Sequence, residues 1–342
     1  MTPTTEPAAH LVMPESVGVW FPHFLGPGGA DRTVVLGEAP AVDVGVVRDA
    51  LSRIGSRRVV LHSGHDTLGR DRTLARALAG SGFQPTAQSA RATRIGLDKR
   101  LMKEFFDACG CPGLPWTTGD RLPGVAGDPL VVIKARHGTQ SRGTVLTRLS
   151  DRAPAPGEIA ELYADGVEYS MVVFRDGERV VTLPPIWKGP TSTALVPPWR
   201  RLRLCPYEPT DPALERRLRD DSRALAVSAG AVGLIEIEYL VTADGAARVL
   251  EINPRISGTM RLAAMATGLP IFALYDDHTV SGDVAATGHA AEVPYRGDPV
   301  CDPAGGVFAT SRLTVVADDP SRALDKLRRC AGARAIPTAA AA

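Results

Sequence analysis

The sequence predicts a mixed α/β and α+β protein, and three stretches carry that prediction. Residues 17–92 alternate short apolar runs with helical patterns, the signature of a small parallel sheet with helices on its faces. Residues 129–147 read as two strands joined by a loop rich in glycine and hydroxyl side chains. Residues 233–258 read as two apolar strands about Asp244-Gly245, which favours a two-residue type I′ turn because both positions need positive φ. At 342 residues the chain can form two or three packed subdomains.

In chain order, the first unit should hold strands at 17–21, 33–36 and 59–62 and helices at 44–54 and 74–79. The first ten or so residues and 339–342 are expected to lie outside the ordered fold. No Gly-x-Gly-x-x-Gly follows a strand, so the dinucleotide fingerprint is absent, and Gly26-Pro27-Gly28-Gly29 reads only as a loop. Asp66 and Arg70 follow a strand end, where α/β sheets bind ligands; a plain loop position also accounts for both. Residues 98–110 form a helix capped by Asp98, with Leu101, Met102, Phe105, Phe106 and Cys109 on one face and Gly110 as its stop. Lys99 sits in its first turn, where the helix dipole disfavours a cation. That placement hints at a role for Lys99, with a solvated surface lysine as the plain alternative.

The strand at 129–134 is buried by composition and ends in Lys134. The loop that follows, through Gly138 and Gly143, can present backbone N–H groups to phosphate oxygens; an ordinary polar hairpin loop is the alternative. It is no Walker loop, since no Gly-Lys-Ser/Thr follows. Residues 158–174 read as a short strand, a turn at Asp165-Gly166 and a longer strand with Glu168, Ser170 and Val172 on one face. Residues 183–210 are proline-rich and irregular, with Lys188, Arg200, Arg201 and Arg203; a connection this long is functional or disordered. Its arginines are candidates for a second carboxylate, or are simply solvated. Asp211 and Pro212 open a helix that Gly230 ends. Helices at 258–267, 271–279 and 320–330 and a strand at 307–316 complete the reading.

Centring the hairpin on Asp244-Gly245 places Glu238 opposite Glu251 and Glu236 opposite Asn253. All four then share a face with Leu234, Leu240 and Val249, while Ile235, Ile237, Tyr239, Leu250 and Ile252 face a core. Directly opposed like charges destabilise a ladder. A hard divalent cation compensates them, since Mg²⁺ is shared between carboxylates and substrate phosphates; an acidic solvent face is the alternative. Pro254 ends the second strand and presents Arg255 just past the carboxylates.

The net charge of +1 gives no broad basic surface for nucleic acid or anionic membrane, and aromatics at 5% offer few stacking platforms. Five cysteines without a framework spacing suggest reduced thiols and a cytoplasmic setting, with Cys109-Gly-Cys111 read as packing at a helix end. No signal peptide and no apolar run of about 18 residues is seen, so no membrane span is expected.

The set Glu238, Glu251 and Asn253-Pro254-Arg255 resembles the metal-binding signature of ATP-grasp enzymes, and further motifs stand in that family's order from about residue 17 to about residue 275. The resemblance implies the ATP-grasp fold: an N-terminal parallel α/β domain (1–92), a small α+β lid (93–164) and a larger antiparallel α+β domain (165–342), with ATP between two antiparallel sheets. Lys99 resembles the early lysine on the α- or β-phosphate, and Lys134 the strand-end lysine that contacts phosphate and adenine. Gly138, Thr139, Gln140, Ser141, Arg142 and Gly143 resemble the loop covering the triphosphate. Glu161, Leu162, Tyr163 and Ala164 look like the adenine hinge, and Glu168 like the ribose carboxylate. Glu238, Glu251 and Asn253 look like ligands for two Mg²⁺ ions, with Mn²⁺ as a substitute, and Arg255 like the arginine that stabilises the transferred phosphoryl group. Ser257 and Gly258 would line the acyl site. Two positions depart from the family: Leu162 stands where an acidic or amide residue is common, and Arg142 where small residues are common.

The implied reaction is ATP-dependent ligation of a small-molecule carboxylate to an amine, giving ADP and phosphate. Bicarbonate activation is the alternative chemistry within the family, and a nucleotide-binding regulatory or scaffold protein with the fold but no turnover the alternative of another class. Nucleic acid and membrane are not expected partners, and a homodimer is an assembly that many relatives adopt.

Overall fold

A computed structural model describes residues 6–12, 17, 19–37, 41–64, 66–138 and 143–332. Its first layer is a parallel sheet of β1 (Ala9–Val12), β2 (Thr33–Val35), β3 (Arg58–His62) and β4 (Gln84–Thr86), in the order β2-β1-β3-β4. Helices α1 (Val44–Ile54) and α2 (Leu68–Gly80) cover it, burying Val47, Leu51, Leu74 and Leu78 against Leu11, Val59 and Leu61. Asp43 caps α1 by accepting the N–H groups of Gly45 and Val46.

Two expectations fail in this unit. The strand expected at 17–21 is not formed; Phe21–Leu25 is a 3₁₀ turn whose Phe21 stacks on Phe272, with ring centroids 3.8 Å apart. A central strand of the sheet is instead Ala9–Val12, which begins within the first ten or so residues expected to be unordered. Paired on both edges and buried on both faces, this strand shows neither length nor alternation in the sequence. The expectation for 339–342 concerns residues outside the described ones.

Helices α3 (Ala90–Leu97) and α4 (Lys99–Ala108) follow, with Asp98 capping α4 through the N–H groups of Arg100 and Leu101. Four antiparallel strands come next: β5 (Trp116–Thr117), β6 (Leu130–Ala135), β7 (Val145–Arg148) and β8 (Glu158–Leu162), ordered β5-β8-β6-β7.

The remaining chain builds one large sheet. Its strands are β9 (Gly166–Asp176), β10 (Arg179–Thr182), β11 (Ile186–Pro190), β12 (Arg203–Cys205), β13 (Gly233–Thr242), β14 (Ala247–Asn253), β15 (Gly282–Asp283), β16 (His289–Pro294), β17 (Val300–Asp302), β18 (Val307–Ala309) and β19 (Arg312–Ala317). The main path runs β14-β13-β9-β11-β12-β16-β19-β18-β17, with β10 and β15 off it. The irregular 183–210 stretch thus contains two strands, and the single strand expected at 307–316 is a hairpin broken at Thr310-Ser311. Helices α5 (Pro212–Ser228), α6 (Gly258–Thr267) and α7 (Pro320–Ala331) pack on the sheet; Ile271–Tyr275 is a short 3₁₀ turn rather than the helix expected over 271–279.

Alternation along β9 divides two cores. Met171 and Val173 join α4, α5 and α7 on one face; Val172 and Phe174 join α6 and Phe21 on the other. The five cysteines are free, and Cys109 and Cys111 pack against the first core. No helix among the described residues is long and apolar enough to cross a membrane.

The β13–β14 hairpin differs from its expected turn. Thr242 N–H bonds Ala246 O at 3.0 Å, so the loop has three residues and ends in Gly245 at φ 76°. Strand pairs near the turn are offset by one residue, and a bulge between Glu238 and Tyr239 restores the count. Glu238 therefore still faces Glu251, and Glu236 faces Asn253. Val249 moves into the core with Tyr239, while the bulged Leu250 reaches the opposite side, reversing the faces expected for these two residues.

Gly96 on α3 marks a tight crossing: a Cβ there would lie 2.3 Å from Pro254 Cδ. Gly96→Ala should cost about 1–3 kcal/mol through overpacking and shift the Asn253–Arg255 turn. Urea unfolding checks the first effect and faster hydrogen exchange at the Ile256 amide the second.

Candidate active site

Both antiparallel sheets contribute walls to a cavity of about 820 Å³. Glu238 and Glu251 lie across from each other on its floor, as the ladder dictates. Lys188 Nζ donates to Glu238 Oε2 at 2.6 Å, and Asn253 Nδ2 to Glu238 Oε1 at 3.1 Å. Burial alone would raise the Glu238 pKa; the positive charges of Lys188, Arg203 and Arg255 outweigh it and hold the carboxyl below its ordinary value. Arg255 Nη2 donates to Asn253 Oδ1 at 3.1 Å, while its buried Nε has no partner among the described residues. Glu236 also lines the cavity, and its Oε1 accepts from Ser170 Oγ at 2.7 Å and Thr259 Oγ1 at 2.8 Å. Asn253 is buried beside the carboxylates without lining the cavity.

Among the described residues no three His, Cys, Asp or Glu side chains form a ready cage for a metal ion. Two carboxylates and an amide suit a cation that draws its other ligands from phosphate and water, as Mg²⁺ does.

The lysines meet on Glu161. This buried carboxylate takes Lys134 Nζ on Oε2 at 2.6 Å and Lys103 Nζ on Oε1. Burial works against every charge here. Lys134 is nevertheless held above its ordinary pKa by Glu161 and Glu251, and Glu161 below its own by the two lysines. Lys103 goes the other way, because burial and Lys134 prevail over Glu161. Lys103 also donates to Leu250 O at 3.0 Å, tying α4 to the hairpin bulge. Lys99, one turn earlier, donates to Gly138 O at 2.6 Å.

Thr139, Gln140, Ser141 and Arg142 lie outside the described residues; Gly138 lines the cavity and Gly143 does not. Leu162, Tyr163 and Ala164 line it as well. The N–H groups of Leu162 and Tyr163 are committed to Pro115 O and Leu130 O, at 2.8 and 2.9 Å, which leaves the Ala164 N–H without a backbone partner among the described residues. Glu168 Oε1 accepts from Arg201 Nη2 at 2.6 Å, and Arg201 Nε also bonds Val196 O at 2.8 Å. Arg201 thereby fastens the 191–201 loop, in which Leu195 adopts φ 47°, beside the cavity mouth.

Ser257 and Gly258 line the cavity, with Ser257 Oγ 2.7 Å from Thr259 Oγ1. Ile256 N–H donates to Ser63 O at 3.0 Å, fixing the segment after Arg255 to the end of β3. Asp66 lines the same cavity, whereas Arg70 pairs with Asp71 at 3.1 Å.

Sequence reasoning missed two lysines. Lys188 stood in a stretch read as irregular, and only its place in a strand beside β9 aims it at Glu238. Lys103 had a signal: four residues after Lys99, it shares that face of the helix.

Glu161→Gln leaves the buried Lys103 and the half-buried Lys134 without their anion and should cost about 3–5 kcal/mol, more than Lys103→Met, which leaves the Lys134 pair intact. Because the folded pKa of Glu161 is depressed, its contribution is complete above the ordinary carboxylate range and is lost as pH falls through the folded value. The gap between wild type and Glu161→Gln should therefore close in acid, which urea unfolding across pH will check.

A family model described as "Carbamoyl-phosphate synthase L chain, ATP binding domain" matches residues 202–275. A carbamoyl phosphate synthase large chain of Methanocorpusculum labreanum is 41% identical over 68 residues, which are 20% of this chain and 6% of that one. The chain thus matches only a small part of such relatives. A D-alanine–D-alanine ligase of Neisseria gonorrhoeae is 27% identical over 204 residues, covering 55% of this chain and 67% of that one. Among solved structures, a biotin carboxylase–β,γ-ATP complex from Campylobacter jejuni superposes with a TM-score of 0.73 at 15% identity, over 96% of this chain and 91% of that one. An L-amino acid ligase from Bacillus licheniformis gives 0.68 at 13% identity, over 95% and 97%. These superpositions extend over nearly the whole of this chain and show that its three sheets build the ATP-grasp fold.

Proposed function

We propose that the protein is an ATP-dependent carboxylate–amine ligase that forms ADP and phosphate. The observation that carries this reading is the convergence of Lys99, Lys134, Lys188 and Arg255 on a cavity floored by Glu238 and Glu251. Four cations around two carboxylates suit a polyphosphate with a divalent ion better than an apolar or cationic ligand. The three sheets support a division into an N-terminal unit (1–92), a lid (93–164) and a large unit (165–342).

In this reading Glu238, Glu251 and Asn253 hold Mg²⁺, as two ions, with Mn²⁺ able to replace it. The metal supplies charge neutralisation at the β- and γ-phosphates. Lys134 and Lys99 bind the phosphates, and Lys99 couples them to the 138–143 loop through Gly138. The unpaired Ala164 N–H suits an acceptor on the adenine edge, and Glu168, steadied by Arg201, suits the ribose hydroxyls. The substrate carboxylate attacks the γ-phosphorus and ADP leaves, giving an acyl phosphate. The amine then attacks the acyl carbon and phosphate departs. Arg255 and Lys188 counter the charge that develops on the transferred group. Closure of the lid excludes the water that would hydrolyse the acyl phosphate. Ser257 and Gly258 border the acyl group. A cytoplasmic location fits this chemistry.

Bicarbonate as the activated acid is the second reading, favoured by the similarity to a biotin carboxylase structure.

Incubation with Mg²⁺-ATP and a panel of acids and amines, read by ADP release and product mass, tests both. A product lighter than the two substrates by one water, with ADP and phosphate, supports ligation. AMP and pyrophosphate would overturn it, and bicarbonate-dependent ADP release without an amine would favour the second reading. Chelation with EDTA should abolish turnover and added Mg²⁺ should restore it. Lys188→Met should lower kcat by about 10²–10³-fold, the usual loss of one preorganised charge donor, as steady-state kinetics will show.

A further inference from the structure

Part of the cavity wall belongs to none of the groups assigned so far. Arg203, Arg261 and Arg312 converge there on a single carboxylate, Glu292. Strand register builds the cluster: Arg203 is directly across from Glu292 in the β12–β16 ladder, and Glu292 from Thr314 in β16–β19. Glu292 is fully buried and the three arginines nearly so. Burial would raise the Glu292 pKa, but the three guanidinium groups hold it at about 2, so it remains an anion at neutral pH. Three buried cations thus share one buried anion. Buried charges are ordinarily paired, and among the described residues no carboxylate other than Glu292 forms an ion pair with these three guanidinium groups, although the Arg203 charge also reaches Glu238. The surplus of cations shows on Arg312, which burial and the neighbouring charges of Arg203 and Arg261 pull down to about 10 despite its contact with Glu292.

The three arginines are not equivalent. Arg261 is consumed by Thr314 Oγ1 at 2.9 Å, Arg312 O at 3.0 Å and Glu292 Oε2 at 3.3 Å. Arg312 bonds Glu292 and the carbonyls of Trp199 and Arg201, holding the cavity loop. Arg203 makes only two long contacts, Nη1 to Glu292 Oε1 and Nε to Pro198 O, both at 3.3 Å. Its Nη2 has no partner among the described residues. A Cβ at position 258 would lie 3.4 Å from Arg203 Nη1, so glycine there keeps that guanidinium edge open.

We propose that the Nη edge of Arg203, beside Gly258, receives a second carboxylate of the substrate, so that the activated acid is a dicarboxylate or an acidic amino acid rather than a simple monoacid. The assignment rests on the ligase reading, in which Arg255 and the lysines serve the phosphates and the carboxylate being activated. A planar guanidinium edge suits a carboxylate geometrically, and Arg261 and Arg312 hold Glu292 so that Arg203 keeps its aim.

The test compares acids with their monoamides: L-glutamate with L-glutamine, L-aspartate with L-asparagine, glutarate with glutaramate, succinate with succinamate. Hydroxylamine serves as a general amine that traps the acyl phosphate as a hydroxamate. For at least one pair, wild type should favour the diacid by about tenfold or more in kcat/KM. Arg203→Met should bring that ratio close to one, Arg203→Lys should recover part of it, and Gly258→Ala should reduce it without removing a charge. Calorimetry with a non-hydrolysable ATP analogue and Mg²⁺ gives a second readout, in which diacid binding should be lost in Arg203→Met. Equal use of acids and amides by wild type, with no Arg203-dependent diacid binding, overturns the proposal. So does an Arg203→Met enzyme whose KM for ATP rises while the acid-to-amide ratio stays unchanged. Arg203-dependent binding without ADP release from any acid would sink the ligase reading and leave the subsite standing; ADP release without acid preference would do the reverse.

Discussion

Two glutamates held face to face on neighbouring strands set the terms for everything around them. Glu238 and Glu251 cannot separate, because the ladder fixes their distance and burial limits the water available to screen them. The fold answers with positive charge from several elements: Lys188 from β11, Lys134 from β6 and Arg255 from the turn after β14. Two hydroxyls serve one oxygen of the adjacent Glu236, which borders the same cavity.

A second anion links the layers. Glu161 belongs to the small antiparallel sheet, Lys134 to its neighbouring strand and Lys103 to a helix packed on the large sheet. Through Lys103 and Leu250 O the triad reaches the bulge beside Glu251. Lys134, the strand that carries Glu161 and the carboxylate hairpin are thus coupled by three hydrogen bonds, so a shift in any one is felt by the others.

The sequence disclosed those features that depend on local periodicity. Helix α4 and its Asp98 cap, α1, the two central strands of the small sheet and the opposition of Glu238 to Glu251 all follow from spacing and turn chemistry. The last came out through two compensating departures: a three-residue turn in place of two, and a bulge that restored the count. Val249 and Leu250, between those departures, were therefore given the wrong faces. Elements defined by their neighbours were not legible. Ala9–Val12 is a strand only because two others flank it, and Lys188 meets Glu238 only because β11 joins β9. Arg200, Arg201 and Arg203 look alike in sequence; one stays exposed on Trp199, one holds Glu168, and one enters the wall with Glu292. No local pattern separates these fates, since those of Arg201 and Arg203 are decided by carboxylates 33 and 89 residues away.

The bond from Ile256 N–H to Ser63 O has an implication for how such chains can diverge. It joins the exit of the carboxylate strand to the last turn of the first sheet, and Gly96 against Pro254 reinforces the seam from the other side. The N-terminal unit is therefore part of the mould in which the turn around Arg255 sets. A chimera that borrowed this unit from a relative would inherit a new setting for Arg255, even with every residue from 93 onward unchanged. Recombination at that boundary tunes chemistry rather than merely exchanging a scaffold.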